Sequence, residues 1–332
     1  MSTQSPLTPK PKIGIVICNL GTPQAPTVAA VSTYLKEFLS DKRVVETPDW
    51  LWQPILRGIV IPKRVKTVAH NYATIWLPEG APLLVYTEKT ARGVAQRLNN
   101  PDYIVDIAMR YGEPSLHSVF DKLAAQGCEK ILVMPMYPQY AAATTGTVGD
   151  ELCRYNLKVR NQLEFRMPKR YFQRPEYIQT LAQQVSTYWQ THGKPQGLLL
   201  SFHGMPKQSI DEGDPYQDDC EATYTLLQEA LFKEQVPLYL SYQSQFGKAE
   251  WIKPSTVDKL SQLAQQGVLK LDVLCPGFSV DCLETLEEIA ISGQAHFKQQ
   301  GGQQFRYIPC LNADDAWLDA LTRIIQAYLQ DW

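Results

Sequence analysis

Short, almost unbroken apolar runs recur along the chain at 13–19, 103–109, 130–136, 197–202, 237–242, 270–275 and 305–309. Between them lie amphipathic stretches at 87–98, 116–125, 177–189, 222–232, 256–265 and 281–297, where apolar residues return every three or four positions. Runs this short, and apolar on both sides of the pleat, predict fully buried strands, and the longer periodic stretches predict helices. Alternation of the two predicts an α/β fold built on parallel sheet covered on both faces. The stretch 313–329 predicts a further amphipathic helix with Trp317, Leu318, Leu321, Ile324, Ile325 and Tyr328 on its apolar side, a structural element.

The pattern echoes itself. Leu123-Ala-Ala-Gln-Gly-Cys-Glu-Lys-Ile-Leu-Val133 matches Leu263-Ala-Gln-Gln-Gly-Val-Leu-Lys-Leu-Asp-Val273 at an offset of 140, each reading as a helix end, a glycine cap and a buried strand. Leu20-Gly21-Thr22-Pro23 matches His203-Gly204-Met205-Pro206, each just after a strand. Two similar α/β halves follow from this, although any two βα units share some likeness. The expected division is an N-terminal half at 12–170 with a lip at about 45–85, a C-terminal half at 171–309, and a helix at 310–332 packing across both. Open α/β sheets bind ligands beyond the carboxyl ends of their strands, so a cleft between the halves is the expected site.

Length and composition narrow the class. The 332 residues suit two domains, and 44% hydrophobic with 20% charged residues is the balance of a globular protein. With 32 basic and 34 acidic residues and no basic run interleaved with aromatics, nucleic-acid binding is not expected. The polar, proline-rich stretch 1–12 lacks the apolar core of a signal peptide and reads as a frayed tail, and no apolar run reaches membrane-spanning length. A cytoplasmic protein is expected. Seven scattered cysteines without a C-x-x-C pair argue against a disulfide framework, a structural zinc or an iron–sulfur cluster. No G-x-G-x-x-G follows any strand, which removes support for a dinucleotide-binding enzyme.

Several residues could carry chemistry. Asp281, Glu284 and Glu288 are spaced i, i+3, i+7 and would share one helix face, as a row suited to a metal cation or to proton acceptance, or simply as a solvated face. His203 stands where a buried strand breaks, and imidazole there can take a proton near neutral pH or bind a divalent metal. Arg110, at another strand end, could grip a carboxylate or make an ordinary ion pair. Tyr137-Pro138-Gln139-Tyr140, running on to Thr144-Thr145-Gly146-Thr147, suits a loose anion-binding turn or an aromatic wall for a flat ligand. The stretch 50–64 joins Trp50, Trp52 and branched aliphatics to Arg57, Lys63 and Arg64, which fits either an apolar lip that dips into a membrane surface or a helix buried on the core.

Together these segments resemble the ferrochelatase family over nearly the whole chain. The most specific pieces are Ser201-Phe-His-Gly-Met-Pro206, Gly213-Asp-Pro-Tyr216, Tyr242-Gln-Ser-Gln-Phe-Gly247 and Phe278-Ser-Val-Asp-Cys-Leu-Glu-Thr-Leu-Glu287. The resemblance implies two Rossmann-like, chelatase-like halves around a porphyrin cleft, and an enzyme that inserts Fe2+ into protoporphyrin IX as the last step of heme synthesis. It implies His203 and Glu284 as catalytic and metal-contacting residues, facing each other across the cleft, and Asp281 and Glu288 as a proton or metal relay. Leu20, Trp52, Lys63, Arg64, Tyr72, Arg110, Tyr111, Tyr242 and Phe278 would bind the porphyrin. No organic cofactor is implied, iron being a substrate.

Two departures from the family pattern stand out. Cys282 occupies a position where many members carry a second His, and Leu20 stands where members that use coproporphyrin often carry Tyr, which leans toward protoporphyrin. No cysteine follows Cys310, so no cluster is expected. A monomer, with peripheral contact at the inner membrane face through the lip, completes the expectation. The alternatives are a coproporphyrin III ferrochelatase, another divalent-metal chelatase of this fold, or a heme or porphyrin carrier without chemistry.

Overall fold

A computed structural model describes residues 12–247 and 249–332, so the expected N-terminal tail lies outside the described residues. The first half runs β1 (Lys12–Gly21), α1 (Val28–Phe38), α2 (Asp49–Ile55), α3 (Ile61–Ile75), α4 (Pro82–Leu98), β2 (Tyr103–Tyr111), α5 (Leu116–Ala125), β3 (Cys128–Pro135), α6 (Thr147–Lys158) and β4 (Glu164–Arg166). The second runs α7 (Pro175–His192), β5 (Gly197–His203), α8 (Lys207–Asp211), α9 (Tyr216–Ala230), β6 (Leu238–Gln243), α10 (Thr256–Gln265), β7 (Lys270–Leu274), α11 (Leu283–Thr285), α12 (Gln294–Gln299) and β8 (Gln304–Tyr307), closed by α13 (Asp315–Leu329). Three π-helical segments interrupt this order, Leu56–Val60 between α2 and α3, Ala142–Gly146 before α6, and Leu286–Gly293 between α11 and α12.

The strands form two four-stranded sheets, ordered β2-β1-β3-β4 and β6-β5-β7-β8, with every pairing parallel. Counted within each half, the order is the same, second-first-third-fourth. The internal echoes fall on equivalent places: the first on α5–β3 and α10–β7, the second on the turns after β1 and β5. β4 escapes the hydrophobic pattern because it is three residues long and two of them are charged.

Strand alternation builds the layers. Ile15 and Ile17 of β1, with Leu198, Leu200 and Phe202 of β5, enter one central core shared by both halves. Val16 and Cys18 face the other way, into a cluster with α5 and α6, and Leu199 faces a cluster with α10 and α12. Both faces of each sheet are thereby desolvated, which is why the strands read as unbroken apolar runs. α13 lies against α4 and α7, with Trp317, Leu321, Ile324 and Ile325 fully buried. Gly93 of α4 permits this approach, since a Cβ there would fall 2.4 Å from Leu318 Cδ1.

The second echo has a steric origin. Gly21 sits at φ +112°, and a Cβ on it would meet the Tyr111 carbonyl oxygen at 1.8 Å, while a Cβ on Gly204 would meet the Gln243 carbonyl oxygen at 2.4 Å. In each half the chain leaves its first strand pressed against the end of the second.

Candidate active site

β5 and β7 are direct neighbours, and their carboxyl ends carry the chemistry. His203 closes β5, half-buried, with Nδ1 2.6 Å from the Gly204 carbonyl oxygen. A carbonyl only accepts, so Nδ1 carries a proton there, and whenever the ring is neutral Nε2 is the nitrogen free to accept. The Phe278 ring centroid lies 6.4 Å from the imidazole.

Beyond β7 the chain crosses Cys275–Asp281 and enters the acidic helix. Cys282 caps it: its sulfur accepts the Thr285 backbone N–H, and Thr285 Oγ1 accepts the Cys282 N–H at 3.0 Å. The Cys282 thiol is pushed well up, first by burial and then by the charge of Glu284, so it stays neutral. Gln243 Nε2 donates to the Glu284 carbonyl oxygen at 2.7 Å, and the Ser201 hydroxyl in turn donates to Gln243 Oε1 at 2.7 Å. Buried polar residues of two neighbouring strands thus fix the start of the helix.

Glu284 and Glu288 keep one side of this segment, four residues apart. The Ser244 N–H donates to Glu288 Oε1 at 2.6 Å, and its hydroxyl donates to Oε2. Burial raises the Glu288 pKa; the Ser244 hydrogen bonds and the charge of His203 oppose that, and the charge of Glu284 adds to it. Glu288 therefore lies within electrostatic reach of both His203 and Glu284. All three are carried by the C-terminal half, so the expectation that His203 and Glu284 come from opposing sides gives way to one imidazole–carboxylate edge.

The N-terminal half supplies the facing wall. Leu20, Thr22, Tyr34 and Tyr72 meet Cys282 and Glu284 around a cavity of about 10 Å³, room for about one water molecule. Burial raises both the Tyr34 and Tyr72 hydroxyls, followed by Tyr72 and then Glu284 for Tyr34 and by Glu284 for Tyr72, so both phenols stay protonated beside the carboxylate. Above them α2, the π segment and α3 form the lip, whose cluster of Leu56, Ile61, Val65, Ala69 and Tyr72 also takes Leu283 and Leu286 of the acidic helix. Arg64 of the lip reaches over the Phe246 ring at 5.1 Å, and Phe246 lies 5.0 Å from Trp251, which ties the lip to the loop after β6.

Some expected residues stand elsewhere. Asp281 precedes the helix and is not its first acidic rung. It is buried and accepts from Tyr307, Thr285 (3.0 Å), Asn312 Nδ2 (2.7 Å) and the Cys310 N–H (3.3 Å). The i, i+3, i+7 reading presumed an uninterrupted α-helix, whereas the helix starts at Leu283 and opens into π turns at Leu286. Arg110 donates Nε to Thr147 Oγ1 at 2.7 Å and pairs with Asp41 and Glu151; the Tyr111 hydroxyl donates to Asp41 at 2.9 Å. These two hold the segment after α1, β2 and α6 together, and Arg110 spends Nε and Nη2 inside the protein. The Trp52 indole N–H donates to the Leu39 carbonyl at 2.6 Å and packs inside the lip, while Trp50 is the exposed one, at 79%. Tyr242 is fully buried beside Phe202, on the opposite side of β6 from Gln243. Leu20, Tyr72 and Phe278 do reach the cleft, and Lys63 stays exposed on α3.

Sequence reasoning missed Tyr34, Gln243 and the clamp by Ser244. Ser244 stands at φ +61°, and its motif offered only alternation as a signal. The motif Gly213–Tyr216 proves to be an inter-half staple: Asp214 accepts the Ala142 N–H at 2.7 Å, capping the π segment of the first half.

A doubled parallel sheet with this edge belongs to the chelatase class of fold. SirB from Bacillus subtilis with Fe3+ superposes with a TM-score of 0.56 at 13% identity, covering 96% of this chain and 96% of that one, a likeness of fold alone. Within the class the chain belongs to the ferrochelatase family, whose sequence model matches residues 12–329. It is 48% identical over 325 residues to the ferrochelatase of Neisseria meningitidis serogroup A, covering 98% of this chain and 96% of that protein. It is 46% identical over 323 residues to that of Bordetella pertussis, covering 97% and 89%.

Proposed function

We propose that this protein inserts Fe2+ into protoporphyrin IX, releasing two protons, as the last step of heme biosynthesis. The observation that carries the reading is the convergence of His203, Glu284 and Glu288 on one sheet edge, opposite Leu20, Tyr34 and Tyr72. Two pyrrole N–H protons must leave as the metal enters. His203 Nε2 and the Glu284 carboxylate are the groups to take them and to touch the metal, and Glu288 passes protons outward. Oxygen donors suit a weakly held ferrous ion. Binding a buckled macrocycle better than a flat one exposes the nitrogen lone pairs and lowers the barrier. Leu20, Tyr72 and Phe278 contact the ring, and Lys63 and Arg64 meet its carboxylates at the lip. Leu20, where coproporphyrin users often carry Tyr, supports protoporphyrin. The single imidazole, with a neutral Cys282 at the start of the acidic helix, supports a one-histidine route.

The same reading divides the chain at 12–170, 171–309 and 310–332, needs no organic cofactor or iron–sulfur cluster, and takes the protein as a monomer in the cytoplasm. Among the described residues no helix is long and apolar enough to cross a membrane. Trp50, Leu51 and Ile59, exposed at 79%, 44% and 50% along the lip, support contact with the inner membrane surface instead.

The test is anaerobic turnover with Fe2+ and protoporphyrin IX beside coproporphyrin III, read as loss of porphyrin fluorescence and gain of heme absorbance. Turnover with coproporphyrin alone would overturn the substrate, and porphyrin binding without insertion would overturn the reaction. His203→Ala and Glu284→Gln should each lose at least about a hundredfold in kcat while porphyrin still binds, and Glu288→Gln should lose less.

A further inference from the structure

Behind the catalytic cleft lies a second opening. Phe38 stacks against Tyr34 at 6.0 Å and meets Tyr111 edge-on at 5.1 Å. This aromatic row separates the Glu284 cavity from a groove of about 500 Å³ between α1, the lip and α6. Five cationic side chains line it, Lys36, Lys42, Arg57, Arg110 and Arg154, against two carboxylates, Glu37 and Asp41.

The cations are not equally occupied. Arg110 is spent on Asp41, Arg154 on Glu151 and Asp150, and Lys42 pairs with Asp49 at 3.2 Å. Lys36 and Arg57 have no ion-pair partner among the described residues. They come from different helical segments and share one concavity, where like charges repel unless an anion lies between them.

The surroundings say where the anion comes from. Arg57 stands on the π segment that continues the helix of Trp50 and Leu51, two residues before Ile59, so it belongs to the same lip segment as these exposed apolar side chains. An exposed apolar edge flanked by unpaired cations matches a bilayer in both parts, apolar side chains among the acyl chains and cations at the phosphates. We propose that the groove between α1 and the lip binds the phosphate headgroup of an anionic phospholipid through Lys36 and Arg57, seating the lip on the membrane beside the cleft mouth. This rests on the reading of the lip as a membrane contact.

The experiment is co-sedimentation of the full-length protein with vesicles of phosphatidylcholine alone and with about 30% phosphatidylglycerol, at ionic strengths near 0.1 M and near 0.5 M. Wild type should favour the anionic vesicles, and the preference should shrink at high salt. Lys36→Glu/Arg57→Glu should weaken binding to anionic vesicles at least about tenfold and leave binding to neutral ones unchanged. Its turnover of detergent-dispersed porphyrin should equal that of wild type. Trp50→Ser, by contrast, should weaken binding to both kinds of vesicle.

Unchanged affinity of the double charge reversal for anionic vesicles would overturn the headgroup site while leaving the lip as an apolar anchor. Absence of any vesicle binding by wild type would overturn the membrane reading itself. A raised KM for porphyrin in the double variant would assign the groove to substrate carboxylates. Tight calorimetric binding of inorganic phosphate at the groove, without a preference for anionic vesicles, would assign it to a soluble anion. Either of the last two results would overturn the lipid.

Discussion

Ser244 gives both its backbone N–H and its hydroxyl to the carboxylate of Glu288, from a left-handed backbone at φ +61°. Left-handed serine is uncommon, and here it aims two donors at one acid. The two hydrogen bonds hold down a pKa that burial raises. Losing the hydroxyl should therefore raise Glu288 further, so that it takes up its proton at higher pH. If ionised Glu288 is the relay, the acid limb of the kcat profile should move to higher pH in Ser244→Ala. At neutral pH kcat should fall by about tenfold, the worth of one hydrogen bond to a charged group. Ser244→Gly, free of backbone strain, should show the same shift with less loss of stability. An unmoved acid limb in both variants would remove Glu288 from the proton path.

Asp281 invites the opposite expectation. Its carboxylate is enclosed by Tyr307, Thr285, Asn312 and the Cys310 N–H, so it ties the start of the acidic helix to the segment leading into α13. Asp281→Asn strands donors that now share an anion, and should cost about 3 kcal/mol in a denaturant titration. Turnover per folded molecule should stay within about threefold of wild type, far milder than in Glu284→Gln. Equal catalytic losses in the two variants would return Asp281 to the relay.

What could be read in advance divides along physical lines. Ile15, Ile17, Leu198 and Leu200 announced their strands because parallel sheets desolvate both faces, and the glycine after each first strand announced a repeat because sterics at that turn admit nothing larger. His203 and Glu284 were legible from strand ends and a motif. Asp281 was misplaced because the helix starts only at Leu283, after a Cys282 cap that the spacing of the acids does not reveal. Trp52 and Trp50 were exchanged because a lip helix apolar on several sides, with Pro54 inside it, does not declare which side faces its own core. Arg110 was misjudged because its partner Asp41 lies 69 residues away in sequence, beyond any local pattern.

That Arg110–Asp41 pair makes a prediction of its own. Burial alone would raise the Asp41 pKa, but hydrogen bonds from Thr147, the Arg43 N–H and Tyr111, with the charge of Arg110, hold it below the ordinary value. A depressed carboxylate stabilises the fold above its unfolded pKa, near 3.9, and that contribution is lost as pH falls through the folded value. Acid should therefore loosen the contact between the segment after α1 and β2, and Asp41→Asn should flatten this acid dependence. Arg110→Ala leaves the buried Asp41 charge uncompensated and should cost about 3–5 kcal/mol in stability. The KM of the remaining folded enzyme for porphyrin should change little. A KM raised tenfold or more, with stability intact, would show that Arg110 grips the substrate.

The paired glycines separate stability from catalysis. At Gly21 a side chain meets both a left-handed φ of +112° and the Tyr111 carbonyl, so Gly21→Ala should lose several kcal/mol, seen as a lowered denaturation midpoint. At Gly204 only the approach to the Gln243 carbonyl is close, at 2.4 Å, and the residue adjoins His203. Its N–H donates to that same carbonyl at 2.7 Å, and its own carbonyl oxygen holds His203 Nδ1. An alanine there must push the turn off β6 and carry the imidazole with it. Gly204→Ala should therefore lose kcat by about a hundredfold with a smaller loss of stability than Gly21→Ala, since a displacement of about 1 Å suffices for such a loss. If the two substitutions cost the same stability and Gly204→Ala keeps its kcat, the turn after β5 is a packing device like its twin, and the position of His203 does not depend on it.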